Sequence, residues 1–218
     1  MHIHPSILSA DFANLENELK TVSAADAVHV DVMDNHFVPN LTFGLGVVQA
    51  LTKVTNLPLD VHLMIEDPDR WAPPYADAGV NSVTFHLEAT SKPIELAREL
   101  RSLGAKAAIA IKPDTDLANV VELLSEIDML LIMTVEPGFG GQKLIQSTLQ
   151  KVAEARKAIR ASGLEIGLQV DGGVTEDNIG QLSELGADVF VAGSAVFSKP
   201  DRNAQISQLR DLARAHAS

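Results

Sequence analysis

The segment HVDVMDNHFVPN, residues 29–40, begins with the alternation of a β-strand, in which successive side chains point to opposite faces. One face carries Val28, Val30 and Val32. The other carries His29, Asp31 and Met33. An imidazole and a carboxylate two residues apart on so apolar a strand suit proton transfer or metal ligation better than packing alone. LPLDVHLM, residues 57–64, repeats the pattern, with Leu59, Val61 and Leu63 on one face and Asp60, His62 and Met64 on the other. In LQVDGG, Asp171 closes a third strand on the face opposite Val170. His29, Asp31, His62 and Asp171 would make a ligand set for a divalent first-row metal, or an acid/base cluster. His86 and Glu88 are again two apart and are expected to support the site or the fold. A lone histidine in a strand is usually a satisfied core residue, and His2, His4, His36 and His216 are read as ordinary.

Something must bring three distant strands to one place. Short apolar runs at residues 2–8, 27–33, 57–64, 81–87, 106–111, 128–135, 165–170 and 188–193 alternate with amphipathic runs of helical period. DFANLENELKTVSA opens on an Asp able to cap and spaces Leu15, Leu19 and Val22 for one helix face. ADAGVNSV, RSLGAKAA and SELGADVF are near-identical turns in which a helix stops and a strand begins at once. The repeat is a βα unit of about 27 residues, and eight such units predict a (β/α)8 TIM barrel, one domain over 1–218. An open doubly wound sheet is the alternative, but no GxGxxG follows the first strand. In a barrel the valine faces meet the helices. His29, Asp31, His62 and Asp171 then point inward and converge toward the C-terminal mouth, where barrel enzymes place their chemistry.

Composition narrows the function classes. The net charge of -12 argues against a nucleic-acid partner, which calls for clustered Lys and Arg. An anionic ligand would have to be held locally, by backbone N–H groups, helix N-termini or a cation. The absence of cysteine excludes disulfides, Cys zinc sites and a thiol nucleophile. No apolar run is long enough to span a membrane, and the start MHIHPSILSADF lacks a signal-peptide pattern, so a cytoplasmic location is expected.

Three glycine-containing segments follow the late strands: EPGFGGQ at 136–142, DGGV at 171–174 and AGSAVF at 192–197. Glycine lets backbone N–H groups approach an anion closely. Barrels often bind phosphate with the loops after strands seven and eight, so Gly172, Gly173, Gly193 and Ser194 are expected to hold one. Gly138, Phe139, Gly140 and Gly141 are expected to form a mobile loop over a ligand.

PSILSADF, HVDVMDNHFVPNLTFG, DVHLMI, TVEPGFGGQ, VDGGV and GSAVF together resemble the ribulose-phosphate 3-epimerase family, over essentially the whole chain and in family order. The resemblance implies interconversion of D-ribulose 5-phosphate and D-xylulose 5-phosphate in the pentose phosphate pathway. It implies one divalent metal ion, zinc or iron before manganese or cobalt, on His29, Asp31, His62 and Asp171. Asp31 and Asp171 match the acid/base pair. Ser9, His62, Gly138 to Gly141, Asp171 to Gly173, Gly193 and Ser194 match substrate contacts. Met33, Met64 and Met133 match methionines near the reacting carbons. A homo-oligomer, dimer or hexamer, is implied as well.

Three alternatives stay open. A decarboxylase of the orotidine-monophosphate type would want a Lys beside the strand-end Asp, and HVDVMD has none. A hexulose-phosphate 3-epimerase, for instance of allulose 6-phosphate, would share these motifs. A non-catalytic sugar-phosphate binder would have little use for both Asp31 and Asp171.

Overall fold

The computed structural model describes residues 1–217. All eight expected strands form, as β1 (His2–Pro5), β2 (Val28–Met33), β3 (Leu59–Met64), β4 (Ser82–His86), β5 (Lys106–Ile111), β6 (Met129–Met133), β7 (Gly167–Asp171) and β8 (Val189–Ala192). Every pairing is parallel, in the order β1-β8-β7-β6-β5-β4-β3-β2, and a bridge between Ser6 and His29 brings the two ends together. The result is a nearly closed (β/α)8 barrel. Ser218 lies outside the described residues.

The helices are α1 (Leu15–Lys20), α2 (Leu45–Val54), α3 (Pro68–Asp77), α4 (Pro93–Ser102), α5 (Ala118–Val121), α6 (Thr148–Ser162), α7 (Ile179–Glu184), α8 (Ser194–Phe197) and α9 (Arg202–Ala215). Local chemistry sets several ends. The Asp11 carboxylate accepts from the Ala13 N–H and opens a 3-10 turn leading into α1. Gly163 closes α6 in the left-handed conformation, φ 68°. Most strands are shorter than the expected runs, and two of the ends bear on the site. β1 stops at Pro5 instead of residue 8, because the Ser6 hydroxyl accepts from the Leu8 N–H and turns the chain into a 3-10 helix, Ile7–Ser9. β6 stops at Met133, and residues 134–135 leave the sheet for the glycine-rich loop.

Strand parity sorts the core into two environments. Val28, Val30, Val32, Leu59, Val61 and Leu63 join the large apolar layer between sheet and helices. Inside the barrel, Ala108, Met129 and Val189 pack at one level and Ala110, Leu131, Met133 and Val135 at the next. Met33, Val38 and Met64 form a third apolar group. The rest of the interior is polar and buried: His4, His29, Asp31, Asp60, His62, Ser82, Thr84, His86 and Gln169. Burying that many polar groups is costly unless they are bonded to each other or to a ligand.

Candidate active site

The β2–β3 register sets His29 beside Asp60, Asp31 beside His62 and Met33 beside Met64. The β6–β7 register sets Met133 beside Asp171. The four expected ligands come together. His29 Nε2 lies 3.5 Å from Asp31 Oδ1 and 3.7 Å from Asp171 Oδ2. His62 Nδ1 lies 3.5 Å from each of the same two oxygens. All four atoms fall within 4.8 Å of one another. His29 Nε2 and His62 Nδ1 are buried without a hydrogen-bond partner. Ligands about 2.1 Å from a tetrahedral cation stand about 3.4 Å apart, so these separations and the two unpartnered nitrogens fit a divalent metal.

The electrostatics follow from burial and proximity. Burial opposes charge on His29, but Asp31 and Asp60 outweigh it and hold its imidazole well above the ordinary histidine range. Burial likewise opposes charge on His62, and the nearby carboxylates of Asp171 and Asp31 outweigh it. Burial works against an ionised Asp31; His29 and His62 overcome that and keep its carboxyl below the usual carboxylate range. The same two carboxylates that favour a proton on each imidazole would favour a cation between them. Ligation requires the neutral imidazole, so metal binding and proton binding compete at these nitrogens.

Below the cluster sits a carboxylate to which sequence reasoning gave no role. Asp60 is fully buried and accepts four hydrogen bonds: from His4 Nδ1 at 2.8 Å, His29 Nδ1 at 2.9 Å, Gln169 Nε2 at 2.6 Å and Ser82 Oγ at 2.7 Å. With its Nδ1–H donated to Asp60, His29 directs its Nε2 lone pair at the cluster. His4, read as ordinary, belongs to this network. Ser6 was also missed; its hydroxyl donates to Asp31 Oδ2 at 2.5 Å and leaves Oδ1 facing the histidines. His86 and Glu88 do lie beside the site. His86 Nε2 is 2.9 Å from His62 Nε2, and burial pushes the His86 imidazole down to about 4.

Above the cluster opens a cavity of about 600 Å3. Asp31, Asp171, Met33, Met64, Met133 and Ser9 line it, as do Gly138, Phe139, Gly140, Gly141, Gly172, Gly173, Gly193 and Ser194. His29 and His62 are not on its wall; both are fully buried beneath it. His62 is expected to touch substrate as well as metal; its ring is buried under the cavity and Nδ1 faces the two carboxylates. Phe139 is 54% exposed at the tip of the glycine-rich loop. Gln142 Nε2 braces that loop by donating to the carbonyls of Glu136 and Phe139, and Asn40 Nδ2 ties it to the β2 side through the Gly138 carbonyl.

Two glycines in the loops after β7 and β8 approach their neighbours closely. A Cβ on Gly173 would stand 2.5 Å from the Leu144 amide nitrogen, and one on Gly193 2.7 Å from Ser9 Oγ. Asn178 pins the first loop, donating to the Gly173 carbonyl and accepting from the Thr175 N–H. A polar mouth with backbone-lined loops and two carboxylates at its floor suits a small phosphorylated substrate that exchanges a proton.

The sequence profile of the ribulose-phosphate 3 epimerase family matches residues 2–197. The chain belongs to that family. Its members are isomerases. The ribulose-phosphate 3-epimerase of Mycobacterium tuberculosis (strain H37Rv) is 54% identical over 213 residues, covering 98% of this chain and 93% of the relative. That of Escherichia coli (strain K12) is 46% identical over 211 residues, covering 95% and 94%. Among solved structures, KGPDC from Streptococcus mutans in complex with D-R5P superposes with a TM-score of 0.77 at 13% identity, covering 100% of this chain and 99% of that one. The 3-hexulose-6-phosphate synthase of Salmonella typhimurium gives 0.72 at 19%, covering 99% and 100%. At such identities the likeness is one of fold. The family membership sets aside the decarboxylase and the non-catalytic binder. No helix among the described residues is long and apolar enough to cross a membrane.

Proposed function

We propose that this chain interconverts D-ribulose 5-phosphate and D-xylulose 5-phosphate, with Asp31 and Asp171 moving the proton at C3. The observation that carries this reading is the pair of carboxylates on β2 and β7, each 3.5–3.7 Å from the same unpartnered imidazole nitrogens and both facing the methionine-lined cavity. The C3 proton lies next to the C2 ketone, and its removal leaves an enediolate. Inversion requires the proton to leave from one face and return to the other. β2 and β7 are separated by β1 and β8 around the barrel, which sets the carboxylates on different sides of the mouth. Asp31, bonded to Ser6 through one oxygen, serves one face through the other, and Asp171 serves the opposite face.

His29, Asp31, His62 and Asp171 would hold the cation. When bound, it supplies Lewis-acid stabilisation of negative charge developing at the C2 oxygen, several kcal/mol beyond what general acid–base catalysis gives. Met33, Met64 and Met133 offer polarisable, dry surface to the planar intermediate. The amides around Gly172, Gly173, Gly193 and Ser194 receive the phosphate, and the loop at 138–141 closes over it. A place in the pentose phosphate pathway, a cytoplasmic location and a homo-oligomeric assembly accompany this reading.

The test is a coupled assay with pentulose and hexulose phosphates side by side. Faster turnover of the pentulose phosphate is expected; preference for a hexulose phosphate such as allulose 6-phosphate would reassign the substrate. In heavy water, early product should carry deuterium at C3 while unreacted substrate carries less. Original proton retained in product would point to a single base.

A further inference from the structure

His62 uses its two ring nitrogens differently. Nδ1 faces Asp31 Oδ1 and Asp171 Oδ2. Nε2 lies 2.9 Å from Nε2 of His86, with the rings stacked at 5.0 Å and 25°. Both rings are fully buried. Two ring nitrogens at that distance share one proton, so one ring donates and the other accepts.

The far side of His86 decides which. His86 Nδ1 lies 3.1 Å from Glu88 Oε2. Glu88 Oε1 accepts from the Lys112 backbone N–H at 2.8 Å and from the Thr115 hydroxyl. A carboxylate surrounded by donors can only accept, so the proton sits on His86 Nδ1. His86 Nε2 then offers its lone pair, His62 Nε2 supplies the hydrogen, and His62 Nδ1 keeps a free lone pair aimed between Asp31 and Asp171. We propose that Glu88 and His86 are positioning residues that select the Nδ1-ligating form of His62. His29 is held in the opposite form, with Nδ1 bonded to Asp60 and Nε2 at the cluster. The two ligand histidines are thus set by two separate chains of hydrogen bonds, one closed off in the barrel interior and one running out to the rim at Glu88. This inference rests on the cation site proposed above.

A merely structural His86 would fill space between His62 and Phe37, whose ring centroid is 4.8 Å away. The test separates the two roles with zinc as the probe on the full chain. In the zinc-loaded protein, long-range 1H–15N correlation is expected to find hydrogen on His62 Nε2 and His86 Nδ1. His86→Phe keeps an aromatic ring and removes both nitrogens; it should weaken zinc binding, measured against a competing chelator, by about 10–100-fold. His86→Gln, which can both accept and donate, should recover most of that loss. Should His86→Phe fail to fold, Glu88→Ala asks the same question by leaving His86 Nδ1 without its acceptor, and zinc affinity should again fall. Hydrogen on His62 Nδ1 in the zinc-loaded protein overturns the proposal. So does wild-type zinc affinity in His86→Phe and Glu88→Ala. A wild-type chain that takes up no zinc overturns the cation reading first and this one with it.

Discussion

Gly173 offers a measurement in which geometry sets the magnitude. It adopts φ +68°, and a Cβ there would meet only backbone: Leu144 N at 2.5 Å, Gln142 O at 2.9 Å and Leu144 Cα at 3.1 Å. Gly163, at the end of α6, has the same φ of +68° and nothing within 4 Å of its Cβ position. An alanine at either position incurs the left-handed penalty, about 1–2 kcal/mol. Only Gly173→Ala adds a collision with backbone that no side-chain rotation relieves, and such overpacking costs about 1–3 kcal/mol more. Urea unfolding of the two variants should therefore give losses of about 1–2 kcal/mol for Gly163→Ala and about 2–5 kcal/mol for Gly173→Ala. Relief of the collision must move either the loop after β7 or the residues at 142–144, and both border the cavity. KM should therefore rise for Gly173→Ala and stay unchanged for Gly163→Ala. Equal stability losses with equal KM values would refute the close loop packing and the phosphate site built on it.

Further outcomes follow from the same structure. Asp60→Asn keeps the shape and removes the charge behind His29; zinc affinity, read by chelator competition, should fall about 10–100-fold, and an unchanged affinity would detach Asp60 from the metal site. Gly193→Asp would set a carboxylate beside Ser9 against a phosphate dianion, so KM should rise steeply; an unchanged KM places the phosphate elsewhere. Asp26 is partly buried, which disfavours its charge, but the Ile3 N–H and Arg210 outweigh burial and hold its carboxyl below the ordinary 3.8. A depressed folded-state value means that its contribution to stability is present above 3.8 and is lost as pH falls toward the folded value. Urea midpoints of Asp26→Asn should therefore decline less than wild type below about pH 4, and parallel declines would remove Asp26 from the acid response.

Much of the site was legible because strand parity is a local property. Val28, Val30 and Val32 declare the helix-facing side of β2, and that alone turns His29 and Asp31 inward. The same logic places His62 and Asp171. Asp60 had the right parity and still went unread, since its four donors come from β1, β2, β4 and β7 and meet only when the barrel closes. Ser6 was hidden by a misjudged strand end: read as part of a strand over 2–8, it is instead the residue at which the chain turns toward Asp31. Thr134, whose hydroxyl donates to the carbonyls of Asp171 and Gly172, sits past the true end of β6. The full burial of His62 is likewise a depth that alternation cannot report.

The central claim is that the chain epimerises through a cation held by His29, Asp31, His62 and Asp171. The direct test is turnover of ribulose 5-phosphate by protein stripped of metal, verified by elemental analysis, and then titrated with zinc. The account predicts no turnover in the stripped protein and a rise that saturates at one equivalent per chain. Full turnover by protein verified to be metal-free would contradict it.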